Sequence, residues 1–205
     1  MTGQLRDEFD FAHVELLESK LEYSGAIFQV QNDLVKFKTG DEVWRQYLVH
    51  DAAVAIVPLR LRADVLEVML IRQYRHPAKQ IFWEIPAGLQ DIAGESALAS
   101  AQRELAEETG MTAQYWQPLV SYYASPGCSD ENVALFVAAN PQPLAEVLDF
   151  QREAEEAELV QAWFPLDDVC AAIFRNELRS PALVCGVLAV QAKRIEWEKR
   201  LAELF

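Results

Sequence analysis

The segment from Gly88 to Met111, GLQDIAGESALASAQRELAEETGM, restricts what this chain can fold into more than any other stretch. Ser96–Thr109 holds no proline or glycine and is rich in Ala, Leu, Glu and Gln, which predicts a helix. Glu104 and Glu108 stand one i,i+4 step apart, and Glu107 lies i+3 from Glu104, so the helix gathers its carboxylates on one face. Such charges repel one another and weaken the helix. A hard divalent cation, Mg2+ or Mn2+, would turn the repulsion into coordination because it prefers oxygen ligands. A solvated acidic face is the bland alternative. The flanks argue against it: Gly88 and Gly110 bracket the helix, Glu95 stands at its start, and Arg103 can reach Glu107 at i+4.

The rest of the chain narrows the setting. A length of 205 residues suits one domain with appendages, and 51% hydrophobic content is ample for a core. No apolar run reaches the length of a membrane-spanning helix, and the charged opening MTGQLRDEFDFAHVELLESK contains no secretory core. Cys128, Cys170 and Cys185 are widely spaced and unaccompanied by histidine, which argues for a reducing, cytoplasmic setting. A formal charge of −14 weighs against tracking of a nucleic-acid backbone. It still permits small anionic substrates, because a metal and a few local arginines can reverse the field inside one pocket.

Two parts are expected. Residues 1–50 read as a prelude: a polar start, then Ala26–Val30, Asp33–Phe37 and Trp44–Val49 as a small antiparallel sheet, with Thr39-Gly40-Asp41 as a turn. Residues 51–205 read as the main domain. Its strands are expected at Ala52–Leu59, Val65–Tyr74, Phe82–Ile85, Gln117–Tyr123, Asn132–Ala138 and Leu159–Phe164. Pro165 suits the first position of a helix over Leu166–Arg175, and one further helix is expected over Ala182–Leu204. Mixed strands and helices in this order predict an α+β fold, or an α/β/α sandwich.

Gly88, Glu95, Arg103, Glu104, Leu105, Glu107, Glu108, Gly110 and Met111 together resemble the Nudix box. One departure is visible: six residues, Leu89 to Gly94, separate Gly88 from Glu95, where the usual pattern has five. A similar insertion marks actinobacterial ADP-ribose pyrophosphatases. Arg72-Gln73-Tyr74-Arg75, Trp83–Gly88, the Pro126 loop Ser125–Glu131 and Gly186–Val190 also resemble that subfamily. The resemblance covers roughly Ser24 to Val190, and ordered agreement at separated sites is more specific than one motif.

The resemblance implies a Nudix-type α/β/α sandwich with a mixed sheet, preceded by a small antiparallel sheet. It further implies hydrolysis of ADP-ribose to AMP and ribose 5-phosphate. By the same resemblance the metal, Mg2+ or alternatively Mn2+, falls to Glu104, Glu107, Glu108 and the Ala87 carbonyl. Glu84 and Pro126 fall to the substrate, and Glu107 and Arg103 stand among the catalytic residues. A glutamate on the loop before the Trp163 strand would position the water; Glu156 matches best, with Glu155 and Glu153 as alternatives. The prelude implies an intertwined homodimer.

Residue types alone make Arg72 and Arg75 either phosphate clamps or surface ion-pair partners, on one side of a strand only if it bulges. Phe28, Trp44, Tyr74 and Trp83 are candidate adenine platforms that serve equally as core. Two other functions stay open. One is a broader nucleoside diphosphate sugar or dinucleoside polyphosphate hydrolase. The other is a silent nucleotide sensor, disfavoured because a sensor could lose Glu104, Glu107 and Glu108.

Overall fold

β-branched and aromatic residues near the start of the chain build a three-stranded antiparallel sheet from β1 (Val14–Ser24), β2 (Phe28–Phe37) and β3 (Glu42–His50), in that order. The computed structural model describes residues 5–145 and 159–204, which divide into two units: those up to His50 with Ser125–Glu131, and the remainder. In the first unit, β2 and β3 pair without interruption from Phe28↔His50 to Lys36↔Glu42. Register shifts break the β1–β2 pairing between Leu16 and Glu18 and between Leu21 and Tyr23. The Ser125–Glu131 loop is tied to β3: Leu48 N donates to Cys128 O at 2.8 Å and His50 N to Asp130 Oδ1 at 2.9 Å.

Two expectations are corrected here. Val14–Ser24, expected as a polar lead-in, is a strand; its residues are almost all exposed, so it lacks the alternation that marks a half-buried strand. Phe28–Val30 of the first expected segment and Asp33–Phe37 of the second belong to one strand from Phe28 to Phe37, and Ala26 and Ile27 precede it in a bend.

In the second unit, β4 (Ala53–Arg62) and β5 (Val65–Arg75) form a hairpin whose turn residues, Ala63 and Asp64, both take positive φ. The two strands pair only over Leu59–Arg62 and Val65–Val68, then separate. The fork is filled by one segment. Its first half, β6 (Gln80–Glu84), pairs with β5, and its second half, β7 (Ala87–Leu89), pairs with β4. At the bend between them, Pro86 O accepts from Ile56 N at 2.8 Å. The chain continues through α1 (Ala97–Thr109), the short β8 (Met111–Thr112), β9 (Tyr115–Tyr123), β10 (Asn132–Ala139), the short β11 (Gln142–Pro143) and β12 (Val160–Pro165). The main sheet runs β12-β5-β4-β10-β9; β10 is parallel to β4 and the other pairs are antiparallel.

β4 is buried on both faces, as its unbroken apolar sequence requires. Val54 and Ile56 face a cluster with Ala101 and Leu105 of α1. Ala53, Ala55, Val57 and Leu59 face the larger core, with residues of α2 (Leu166–Phe174), α3 (Pro181–Ala192) and α4 (Arg194–Leu204). The result is the expected mixed sheet between helices. Among the described residues no helix is long and apolar enough to cross a membrane.

Two helix expectations also change. Pro165 ends β12 and caps α2 from outside, so Leu166 is the first helical residue. The helix expected over Ala182–Leu204 breaks at Lys193 into α3 and α4. The break redirects the chain so that Trp197 and Leu201, on an otherwise charged helix, reach the same core as Val187 and Val190.

Candidate active site

Helix α1 is fixed at both ends by its own sequence. Ser96 Oγ accepts from Ala99 N at 3.2 Å, and Gly110, at φ +68°, stops the helix while its N–H bonds Ala106 O at 2.8 Å. Ala101, Leu105 and Glu108, at i, i+4 and i+7, form the buried stripe. Glu108 thus enters the protein beside apolar residues. Its Oε2 accepts from Ala87 N at 2.9 Å, which ties the helix to the β6–β7 segment.

Arg103 organises the remaining carboxylates. Its Nη1 donates to Glu104 Oε1 at 2.5 Å and to Glu107 Oε2 at 3.1 Å. Nη2 reaches Glu95 Oε2 and Leu89 O, each at 3.2 Å, and Asp91 Oδ1 at 3.5 Å. Glu95 also accepts from Ser100 Oγ at 2.7 Å. The loop with the extra residue therefore lies within reach of the helix, closed by a turn in which Glu95 N bonds Ile92 O at 3.1 Å.

The electrostatics follow from this packing. Burial pushes the Glu104 carboxyl up to about 7; the Arg103 charge and hydrogen bond pull it down, while Glu107 and Asp91 push it further up. Burial works against the Arg103 charge, but the bonds and charges of Glu95, Glu104 and Glu107 outweigh it, and the guanidinium is held charged. Hydrogen bonds from Arg103 and then Ser100 hold Glu95 below the ordinary carboxylate range. With the side chains so arranged, no three carboxylate, imidazole or thiol groups among the described residues are gathered as a metal-binding set.

On β5, the unbroken register from Ile71↔Glu84 to Arg75↔Gln80 contains no bulge. Arg72 and Arg75 therefore point to opposite faces. Arg75 shares the parity of Met69, which packs beneath α1, and Arg72 that of Leu70 in the other core. Glu84 is buried, and its Oε2 accepts from Arg75 Nη2 at 2.7 Å and Gln73 Nε2 at 3.1 Å. The structure thus brings Arg75 and Glu84 together and leaves Arg72 apart, exposed. Gln73 was missed in the sequence, although its two-residue spacing from Arg75 would have placed it on that face. Asp91 and Ser100 were missed as well, since their roles depend on the loop path. Pro126 lies in the loop tied to β3, in the first unit. Glu153, Glu155 and Glu156 lie outside the described residues. Of the aromatic candidates, Trp83 packs edge-on against Phe164 with centroids 5.0 Å apart, beside the larger core.

A mixed sheet between helices, with a glycine-bracketed acidic helix laid over a forked hairpin, defines a hydrolase class. The NUDIX domain family model matches residues 49–184, and the chain belongs to that family; it is a Nudix hydrolase. It is 38% identical over 185 residues to an ADP-ribose pyrophosphatase of Mycobacterium tuberculosis, covering 90% of this chain and 85% of that protein. It is 30% identical over 172 residues to an ADP-ribose pyrophosphatase of Bacillus subtilis, covering 83% and 89%. In fold it is similar to a solved structure of an ADP compounds hydrolase, with a TM-score of 0.74, 23% identity, and coverage of 94% of this chain and 97% of that one.

Proposed function

We propose that this protein hydrolyses the pyrophosphate bond of ADP-ribose, giving AMP and ribose 5-phosphate, with Mg2+ or Mn2+ as cofactor. The observation that carries the substrate is the 38% identity to the M. tuberculosis ADP-ribose pyrophosphatase across nine-tenths of the chain. The donor set fits a hard divalent ion. Glu104, Glu107, Glu108 and the Ala87 carbonyl offer oxygen ligands alone, and at Gly88 the missing side chain leaves room for the Glu104 carboxylate. Glu104, Glu107, Glu108 and the Ala87 carbonyl would hold the ion, with Arg103 beside Glu104 and Glu107. When bound, the ion neutralises pyrophosphate charge and lowers the pKa of a water.

The chain's own residues do the rest. Arg103, held by Glu95, keeps Glu104 and Glu107 in place, and the Ala87 N–H orients Glu108. Arg75, anchored on Glu84, which also accepts from Gln73, holds substrate phosphate on the α1 face. Glu156 positions the attacking water. Residues 1–50 serve dimerisation and 51–205 catalysis. The prelude's exposed Leu16, Leu21, Tyr23 and Ile27, each more than half accessible, favour burial against a second copy.

A product-resolved assay compares ADP-ribose with a panel of nucleoside diphosphate sugars and dinucleoside polyphosphates in Mg2+. The reading requires AMP and ribose 5-phosphate in equal amounts and the highest kcat/KM for ADP-ribose. A higher value for another substrate overturns it.

A further inference from the structure

Gln73 is a polar residue where β5 otherwise buries apolar ones. It follows the buried run Val68–Ile71, shares the α1 face with Met69 and Arg75, and is 6% exposed. Burying an amide is costly unless its polar ends are matched, so each end calls for a partner. One end has it. Gln73 Nε2 donates to Glu84 Oε2 at 3.1 Å, the same oxygen that accepts from Arg75 Nη2 at 2.7 Å. A carboxylate can only accept, so the amide cannot be turned the other way round, and its carbonyl oxygen is the end left over.

That oxygen, Gln73 Oε1, has no hydrogen bond among the described residues. The described side-chain atoms that are both unpaired and closed off from solvent are Asn32 Oδ1, Gln191 Oε1 and Trp197 Nε1. Gln73 Oε1 is not one of them, so it opens to solvent in a residue that is otherwise covered. The Glu84 bond holds it in place. Because the Gln73 amide and the Arg75 guanidinium converge on one carboxylate oxygen, an acceptor with no partner stands beside the cation assigned to phosphate.

We propose, resting on the ADP-ribose reading, that Gln73 Oε1 accepts a hydrogen bond from a ribose hydroxyl of the substrate, next to the phosphate that Arg75 holds. A ribose joined to phosphate carries its hydroxyls within one sugar ring of that phosphate. Arg75 and Gln73 match such a unit, with a cation for the phosphate and a neutral acceptor for the hydroxyl. Gln73 is thereby a specificity-determining residue. A substrate that covers Oε1 without offering a donor strips it of water and gives nothing back, and an acceptor in that position selects against it.

The test is a coupling cycle on the full chain in saturating Mg2+. kcat/KM is measured for ADP-ribose and for analogues that each lack one 2- or 3-hydroxyl of either ribose. The proteins are the unsubstituted chain and Gln73→Met, which keeps the side-chain length and removes both polar ends. In the unsubstituted chain one analogue is expected to fall about 3- to 10-fold below ADP-ribose, the worth of one hydrogen bond. In Gln73→Met that analogue and ADP-ribose should become equal, while the other analogues keep their ratios. A residue that only propped Arg75 would lower every substrate alike and leave all ratios unchanged, and that result overturns the proposal. A thermal melt verifies the fold of Gln73→Met. The unsubstituted chain decides without it: analogues all hydrolysed as well as ADP-ribose overturn the proposal too. If ADP-ribose is not hydrolysed and another nucleoside diphosphate sugar is, the substrate reading fails. The cycle is then run on that compound's ribose hydroxyls, where the same outcomes decide for or against Gln73.

Discussion

A Cβ added to Gly88 would fall 2.0 Å from the carboxylate carbon of Glu104, so the backbone of the β6–β7 segment and the acidic helix meet where no side chain fits. The atom that must yield is the end of a flexible side chain. Gly88→Ala is therefore expected to displace the Glu104 carboxylate while leaving the fold in place. Misplacing a reacting group by about 1 Å can cost about 100-fold in rate, and a loss of that order in kcat/KM is expected, with the melting midpoint moved by less than about 4 °C. Steady-state kinetics and a thermal melt decide it; full activity would contradict the placement of Glu104.

Glu104 also sets a pH dependence. Its carboxyl is pushed up to about 7 in the metal-free fold, against an ordinary value of 4.5. Between those values the folded state holds a proton that the unfolded state has released, so this group's contribution to metal-free stability falls as pH rises through that window. Mg2+ must displace the same proton. Mg2+ affinity should therefore rise from pH 5.5 to 7.5 and flatten above, with proton release on binding. Calorimetric titrations in buffers of different ionisation heat measure this. A Glu104→Gln variant that retains the full pH dependence would falsify the assignment.

Metal ligand and base should fail differently. Glu108→Gln should weaken metal binding, so added Mg2+ should restore part of the rate. Glu156→Gln should leave the metal titration unchanged and lower kcat by about 10²–10⁴-fold with little change in KM. Glu155→Gln and Glu153→Gln, run at saturating metal, should be much milder. A large loss confined to Glu155→Gln would move the base by one position.

The opposite facing of Arg72 and Arg75 separates two roles that the sequence left equal. Arg75→Ala should raise KM for ADP-ribose about tenfold or more, the worth of a charge-assisted hydrogen bond to phosphate. Arg72→Ala should change it little. The reverse ranking in initial-rate measurements would place the substrate on the other face.

Assembly is tested by deleting residues up to Val49. Loss of the first sheet should abolish the dimer and expose unpaired strand edges. Light scattering on the truncated and full chains provides the measurement, and a soluble, active monomer would sink the dimer proposal.

Local signals carried much of this molecule. The α1 limits were legible because Ser96 and Gly110 are capping residues, and the Glu104–Glu107–Glu108 face followed from helical geometry alone. β4 was legible because a run buried on both faces needs no alternation. Other features were settled by contacts between distant segments. β1 has no buried face to imprint a period, so only pairing with β2 makes it a strand. The α3–α4 break answers to where Trp197 and Leu201 find the core. The odd spacing of Arg72 and Arg75 puts them on opposite faces unless the strand bulges, and only the unbroken register against β6 excludes the bulge. Arg103 bridging Glu95, Glu104 and Glu107 depends on a loop folded back from Leu89, and the pairing of Arg75 with the buried Glu84 depends on a strand nine residues away. The sequence by itself determined which residues could form helix, cap and acidic face, because those interactions act over a few residues. Tertiary structure alone decided which charges are buried, paired and facing the site, because desolvation and cross-strand register arise only when remote segments pack.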